Sequence, residues 1–157
     1  MNVIDTGLDA PDRVAGFLLV GSSLNNIQVY SASIVLCFTR LRQDQKPDQV
    51  WLTSTGRIIV YTSRGLAAYP DLISSDARGI AICLLCRLIA EDVVSVNIST
   101  DGSLTVRLSN SEFTFDMDDV NSEEVWSVTS DSPSPNHRHT WSVTLDDSGK
   151  VVVHTPG

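Results

Sequence analysis

"VVSVNISTDGSLTVRLSNSEFTFDM", residues 93–117, alternates apolar and polar side chains and is interrupted twice by turn formers. A period of two sends successive side chains to opposite faces of a strand, so this is β sequence with one face to bury. Asp101-Gly102, inside "TDGS", supplies the positive-φ backbone of a tight hairpin, and "VVSVNIS" and "LTVRLS" are expected to pair antiparallel across it. Asn110 and Ser111 then turn the chain into "EFTFDM", completing a three-stranded meander.

The same alternation extends in both directions. Upstream, "NNIQVYS" around Ile27 and Val29, "SIVLCFT" from Ser33, "QVWLTS" from Gln49 and "RIIVYTS" from Arg57 read as four strands. "RQDQKPDQ" from Arg42, with Pro47, is a loop, and "STGR" from Ser54 reads as a tight turn joining the third strand to the fourth. Downstream, the hexad W-S-V-T-x-D occurs at Trp126 and again fifteen residues later at Trp141. That spacing is too short for a solenoid unit. Each copy places Trp and Val on one face and Ser and Thr on the other, so the pair is expected to form two antiparallel strands around an exposed loop at 130–139. "DSGK" from Asp147 leads into a last strand, "VVVH".

One segment breaks the period. After "AYPDLISSDARG", Ser74, Ser75 or Asp76 can cap a helix running through Ala77 to about Ala90, where Glu91 and Asp92 would oppose the helix dipole. Its sequence "GIAICLLCRLIA" is apolar on all sides except Arg87 and is expected to be buried. Residues 1–15 read as an irregular N-terminal segment. The expected architecture is α+β: one domain over residues 1–157, mostly antiparallel β-sheet, curved or split in two, with one main buried helix at about residues 77–90.

At 157 residues such a domain can bury roughly 70% of its unfolded surface and needs no staples. With 11 basic and 19 acidic residues, the formal charge is -8, which repels phosphate backbones and anionic lipid. Nucleic acid and membrane are therefore not expected partners, whereas a basic protein surface is. No apolar stretch approaches the ~18–20 residues of a membrane span. The start, "MNVIDTGLDAPDRVAG", lacks the basic onset and cleavage pattern of a secretory signal, so a cytoplasmic location is expected.

Cys37, Cys83 and Cys86 lie in apolar contexts and read as reduced core thiols. Cys83-Leu-Leu-Cys86 has C-x-x-C spacing, but a redox or zinc role needs exposure or a second ligand pair, so packing is the expected role. His137 and His139 alternate to one side of an extended loop, with Asp131 and His154 as further donors. A weak metal site there is geometrically conceivable, but a solvated loop is the simpler reading, and no cofactor or bound metal is expected. No nucleophile motif accompanies these histidines, and the chain is not expected to be an enzyme.

The most informative run is "SEFTFDMDDVNSEEVWSVTSD". It carries Glu112, Asp116, Asp118, Asp119, Glu123, Glu124 and Asp131 without a Lys or Arg, and its D-x-D-D lacks the glycine and terminal glutamate of an EF-hand. One reading is a solvated edge. The other is an electrostatic docking patch for a basic partner, formed by Glu112, Asp116, Asp118, Asp119, Glu123 and Glu124 with Trp126 as aromatic anchor.

"VGSSLNNIQVYSASIVLCFT" from Val20, "DGSLTVRLSNSEFTFDMDD" from Asp101 and "EEVWSVTSD" from Glu123 together resemble a loose family of small bacterial proteins associated with polymorphic toxin loci. In size and acidity the chain also resembles the immunity proteins of contact-dependent growth inhibition systems; the hairpin Thr140 to His154 departs from the looser pattern. The resemblance implies an immunity protein that neutralises a cognate, basic, nuclease-type toxin domain by occluding its active or substrate-binding surface. The alternatives are a module that self-associates through its Trp-bearing strands, or a small ligand- or metal-binding module around His137 and His139.

Overall fold

The computed structural model describes residues 10–30, 33–40, 48–55, 57–62, 65–69, 75–116, 126–130, 141–145 and 150–154. Two antiparallel sheets and two helices make up these residues. The strands are β1 (Ser23–Val29), β2 (Ile34–Thr39), β3 (Gln49–Ser54), β4 (Arg57–Thr62), β5 (Gly65–Tyr69), β6 (Val93–Ile98), β7 (Leu104–Leu108), β8 (Ser111–Asp116), β9 (Trp126–Ser130), β10 (Ser142–Leu145) and β11 (Val151–His154). The helices are α1 (Pro11–Leu19) and α2 (Ser75–Cys86). One sheet has six strands in the order β1-β2-β3-β9-β10-β11, and the other five in the order β5-β4-β8-β7-β6.

The expected hairpins form. β6 pairs with β7 across Asp101-Gly102, with Gly102 at φ 90°, and β7 pairs with β8. The two W-S-V-T strands also meet, with Val143 opposite Val128 and Ser142 opposite Thr129, and β11 adds to β10.

The "STGR" turn does not close a hairpin. β3 lies in the six-stranded sheet beside β9, whereas β4 lies in the five-stranded sheet beside β8. The chain therefore crosses between sheets twice at neighbouring places, once from β3 to β4 and once between β8 and β9. Both segments stay partnered with each other: Ser54 opposes Trp126 before the crossing and Arg57 opposes Asp116 after it. Strand parity survives, since Leu52 and Ser54 point inward in one sheet and Ile58 and Val60 in the other, all fully buried. A local turn signal cannot separate a hairpin from such a corner, because the difference lies in partners about sixty residues away.

The opposite edges are also tied. Gly21 N–H donates to the Val93 carbonyl (3.1 Å), Val93 N–H to Ser22 (2.8 Å), Leu24 N–H to Glu91 (3.2 Å) and Ala90 N–H to Leu24 (2.8 Å), stitching the start of β1 to the start of β6. Register shifts between Leu24 and Asn26 and between Val93 and Ser95 lie next to this seam, where bulges bend two edge strands together. Both sheets then contribute to one core, among it Leu36, Phe38, Leu52, Trp126 and Val143 from the first and Ile58, Val60, Leu104, Val106, Phe113 and Phe115 from the second.

α1 corrects the expectation that residues 1–15 are irregular, because the helix begins at Pro11. Proline at the first helical position and Asp12 in the first turn favour the start, although Ala10 makes no side-chain cap. A nine-residue helix is not self-supporting in water, and this one is held by burying Val14, Ala15, Leu18 and Leu19. Its end is capped from elsewhere: the Arg40 guanidinium, just after β2, donates to the carbonyls of Phe17 (3.3 Å), Leu18 and Val20 (3.0 Å). A cation on these orphan carbonyls also complements the negative end of the helix dipole. Phe17 packs on Trp141 with ring centroids 5.2 Å apart, seating α1 beside β10.

α2 is the second correction. It starts at Ser75 and ends at Cys86, and residues 87–90 form turns rather than its last turn. Arg87 and Leu88 N–H groups donate to carbonyls three residues back, and Ala90 takes φ 75°, the left-handed value with which helices commonly finish. Nor is the apolar segment that includes the helix and its following turns buried all round. Leu85 and Leu88 enter the core, whereas Ile80, at 48% exposure, Cys83, Cys86 and Ile89 face outward. Among the cysteines only Cys37 is a core thiol. No described helix is long and apolar enough to cross a membrane.

Candidate functional site

β8 carries the first part of the acidic run. Phe113 and Phe115 are inward and fully buried, with ring centroids 5.3 Å apart, so parity puts Glu112 and Thr114 on the outer face of the five-stranded sheet. Register then decides their neighbours. Glu112 stands between Tyr61 of β4 and Arg107 of β7, and Asp116 stands opposite Arg57 of β4. A run without a basic residue in sequence thus stands, at Glu112, in register with an arginine of the neighbouring strand.

Tyr61, Arg107 and Glu112 line an open groove of about 330 Å³. The β7–β8 turn, residues 109–111, forms its far wall and is held from below by Glu91. That carboxylate accepts from Asn110 N–H (2.7 Å), Ser111 Oγ (2.7 Å) and, at 3.5 Å, Ser109 Oγ. Charge-assisted bonds to a backbone amide and a hydroxyl are stronger than neutral ones, so the wall is pre-ordered. Tyr61 is 42% exposed, Arg107 exposed and Glu112 half-buried. Among the described residues none of these three side chains forms a hydrogen bond or ion pair, although Arg107 and Glu112 are directly opposed. The groove therefore offers one cation, one anion and an aromatic ring whose hydrogen-bonding capacity is unspent among the described residues.

Trp126 is not part of this surface. It is 1% exposed, and its indole Nε1–H donates to the Gly102 carbonyl at 2.8 Å. The tip of the β6–β7 hairpin is thereby bound to the first residue of β9 in the other sheet. Its assignment as aromatic anchor of the docking patch is overturned, because a ring enclosed on both faces has no area left for a partner. Tyr61 is the exposed aromatic beside Glu112. "RIIVYTS" reads as a strand without showing which face Tyr61 takes, and the pairing of β4 with β8 brings it to the acidic strand.

The Asp101 carboxyl that shapes this hairpin tip is held below its ordinary value of 3.8, first by the Ser99 hydroxyl and then by the Ser103 backbone N–H at 2.9 Å. Asp118, Asp119, Glu123 and Glu124 lie outside the described residues, as do Asp131, His137, His139 and the 130–139 loop apart from Ser130. His154, the remaining histidine, is exposed at the end of β11. Among the described residues no three His, Cys, Asp or Glu side chains come close enough to hold a metal ion.

Comparison gives no match. Neither protein-family models, nor curated proteins, nor solved structures resemble this chain significantly.

Proposed function

We propose that this chain is an immunity-type inhibitor that binds a cognate, basic, nuclease-type toxin domain and occludes its active or substrate-binding surface. The docking surface is the outer face of the five-stranded sheet at Tyr61, Arg107 and Glu112, and the acidic residues that follow in sequence, Asp116, Asp118, Asp119, Glu123 and Glu124, are its further contacts. The observation that supports this reading is the groove itself: a pre-ordered wall, an exposed tyrosine and charges that form no ion pair among the described residues, at the start of the acidic run. Net charge of -8 would steer a basic partner toward the molecule, and tyrosine in such a cleft is a residue type that often dominates binding energy.

The test is recovery of partners on the tagged protein from native lysate at low and moderate salt, followed by titration of the purified pair. The expected result is a stoichiometric basic protein whose association slows with salt. Tyr61→Ala should weaken it by about 30-fold, the scale of a binding hot spot. Glu112→Lys should lower mainly the association rate. Recovery of the chain alone, or a partner indifferent to both substitutions in variants that unfold like the wild type, refutes the proposal.

A further inference from the structure

Cys83 and Cys86 were expected to be enclosed in the core, and the fold exposes both. They are three residues apart at the end of α2, and Leu85, fully buried, turns the opposite side of the helix inward. Residues at this spacing are neighbours on a helix surface, with Cβ atoms about 5–6 Å apart. Two metal–thiolate bonds of about 2.3 Å each place sulfurs roughly 4.5 Å apart when the ligands are collinear, a separation that χ1 rotation of both cysteines can reach. The helix holds the backbone in this arrangement before any ligand arrives, so little ordering is needed on binding.

The chemistry of the pair limits its ligand. Thiolates are soft donors and select soft ions. Among the described residues no third cysteine, histidine or carboxylate completes a cluster with them, and the third thiol, Cys37, is buried in β2 of the six-stranded sheet. The two thiolates alone supply only half of the tetrahedral shell that zinc takes in structural sites. Monovalent copper is satisfied by two thiolates.

We infer that Cys83 and Cys86 form a surface chelate for one monovalent copper ion. Binding joins Cu(I) to both sulfurs as their two protons leave, and copper remains Cu(I) throughout. The site is on α2, which packs against β4 and β5, and it makes no use of the groove at Tyr61. It does not depend on the proposed inhibitory role.

The experiment is an anaerobic titration of the full chain with Cu(I) against a chromogenic Cu(I) chelator, read as copper withdrawn per chain. Size-exclusion chromatography of the loaded protein is run in parallel. The expected result is one copper per monomeric chain, with Cys83→Ser and Cys86→Ser each lowering affinity by at least about 100-fold, since each removes the effective concentration that the second donor supplies. Cys37→Ala should bind as the wild type does. Undiminished binding by the Cys83→Ser/Cys86→Ser double variant overturns the inference, and so does loss of copper in Cys37→Ala alone. One copper per dimer also overturns it, because the pair would then be half of a site shared between two copies.

Discussion

Replacing Trp126 by phenylalanine separates a core residue from a docking anchor. The substitution removes the indole N–H and leaves the Gly102 carbonyl, itself in a buried residue, without the donor it has at 2.8 Å. An orphaned buried acceptor costs about 1–3 kcal/mol. The atoms lost from a side chain 1% exposed add a transfer and cavity contribution of about 1–2 kcal/mol at the usual cost per buried methylene. Together these predict a destabilisation of roughly 2–5 kcal/mol, or on the order of 10 °C in Tm for a domain of this size. Urea unfolding should be followed by far-UV circular dichroism, because the substitution deletes one of only three tryptophans and alters the fluorescence baseline. The midpoint should fall while the slope with denaturant stays constant. A change under about 0.5 kcal/mol, typical of exposed positions, would refute the placement of this ring between the sheets.

Native thiol titration with a chromogenic disulfide should show two fast-reacting cysteines, Cys83 and Cys86, and a third, Cys37, that reacts only on unfolding; three equally slow thiols would contradict the orientation of α2. Arg40→Ala should cost about 2–3 kcal/mol in chemical denaturation, since it strips a charged donor from the last carbonyls of α1, and Arg40→Lys should recover only part of it. Asp101 is depressed in the folded state, so its contribution to stability is fully present above its ordinary value of 3.8 and is lost as pH falls through the lower folded value. Asp101→Asn should therefore flatten the fall of stability with pH in that acid range, and an unchanged acid limb would remove the carboxylate from the turn.

The reasons some features were legible in the sequence and others were not are local and physical. In "TDGS", glycine tolerance of φ 90° and the aspartate's bond to Ser103 act within four residues, so the hairpin was written in the chain. Strand parity is equally local: alternation placed Phe113 and Phe115 inward and Glu112 outward before any partner was known. β5 passed unread because "GLAAY" has neither alternation nor β-branched residues, and its pairing with β4 makes it a strand. α1 was missed because its cap is Arg40, twenty or more residues away, and its stability comes from a core that a nine-residue window does not contain.

The amino-acid sequence by itself determined the class of this protein, the positions of most strands, the β6–β7–β8 meander, the pairing of the two W-S-V-T strands and the acidity of the surface. These follow from side-chain periodicity, turn chemistry and charge, which neighbours along the chain settle among themselves. Tertiary structure decided which strands cross between sheets, that Trp126 is enclosed while Tyr61 is offered, that Arg107 stands opposite Glu112, and that Cys83 and Cys86 face outward. Each of those depends on contacts between residues far apart in sequence, where closing the loop costs entropy that only the packed core as a whole repays.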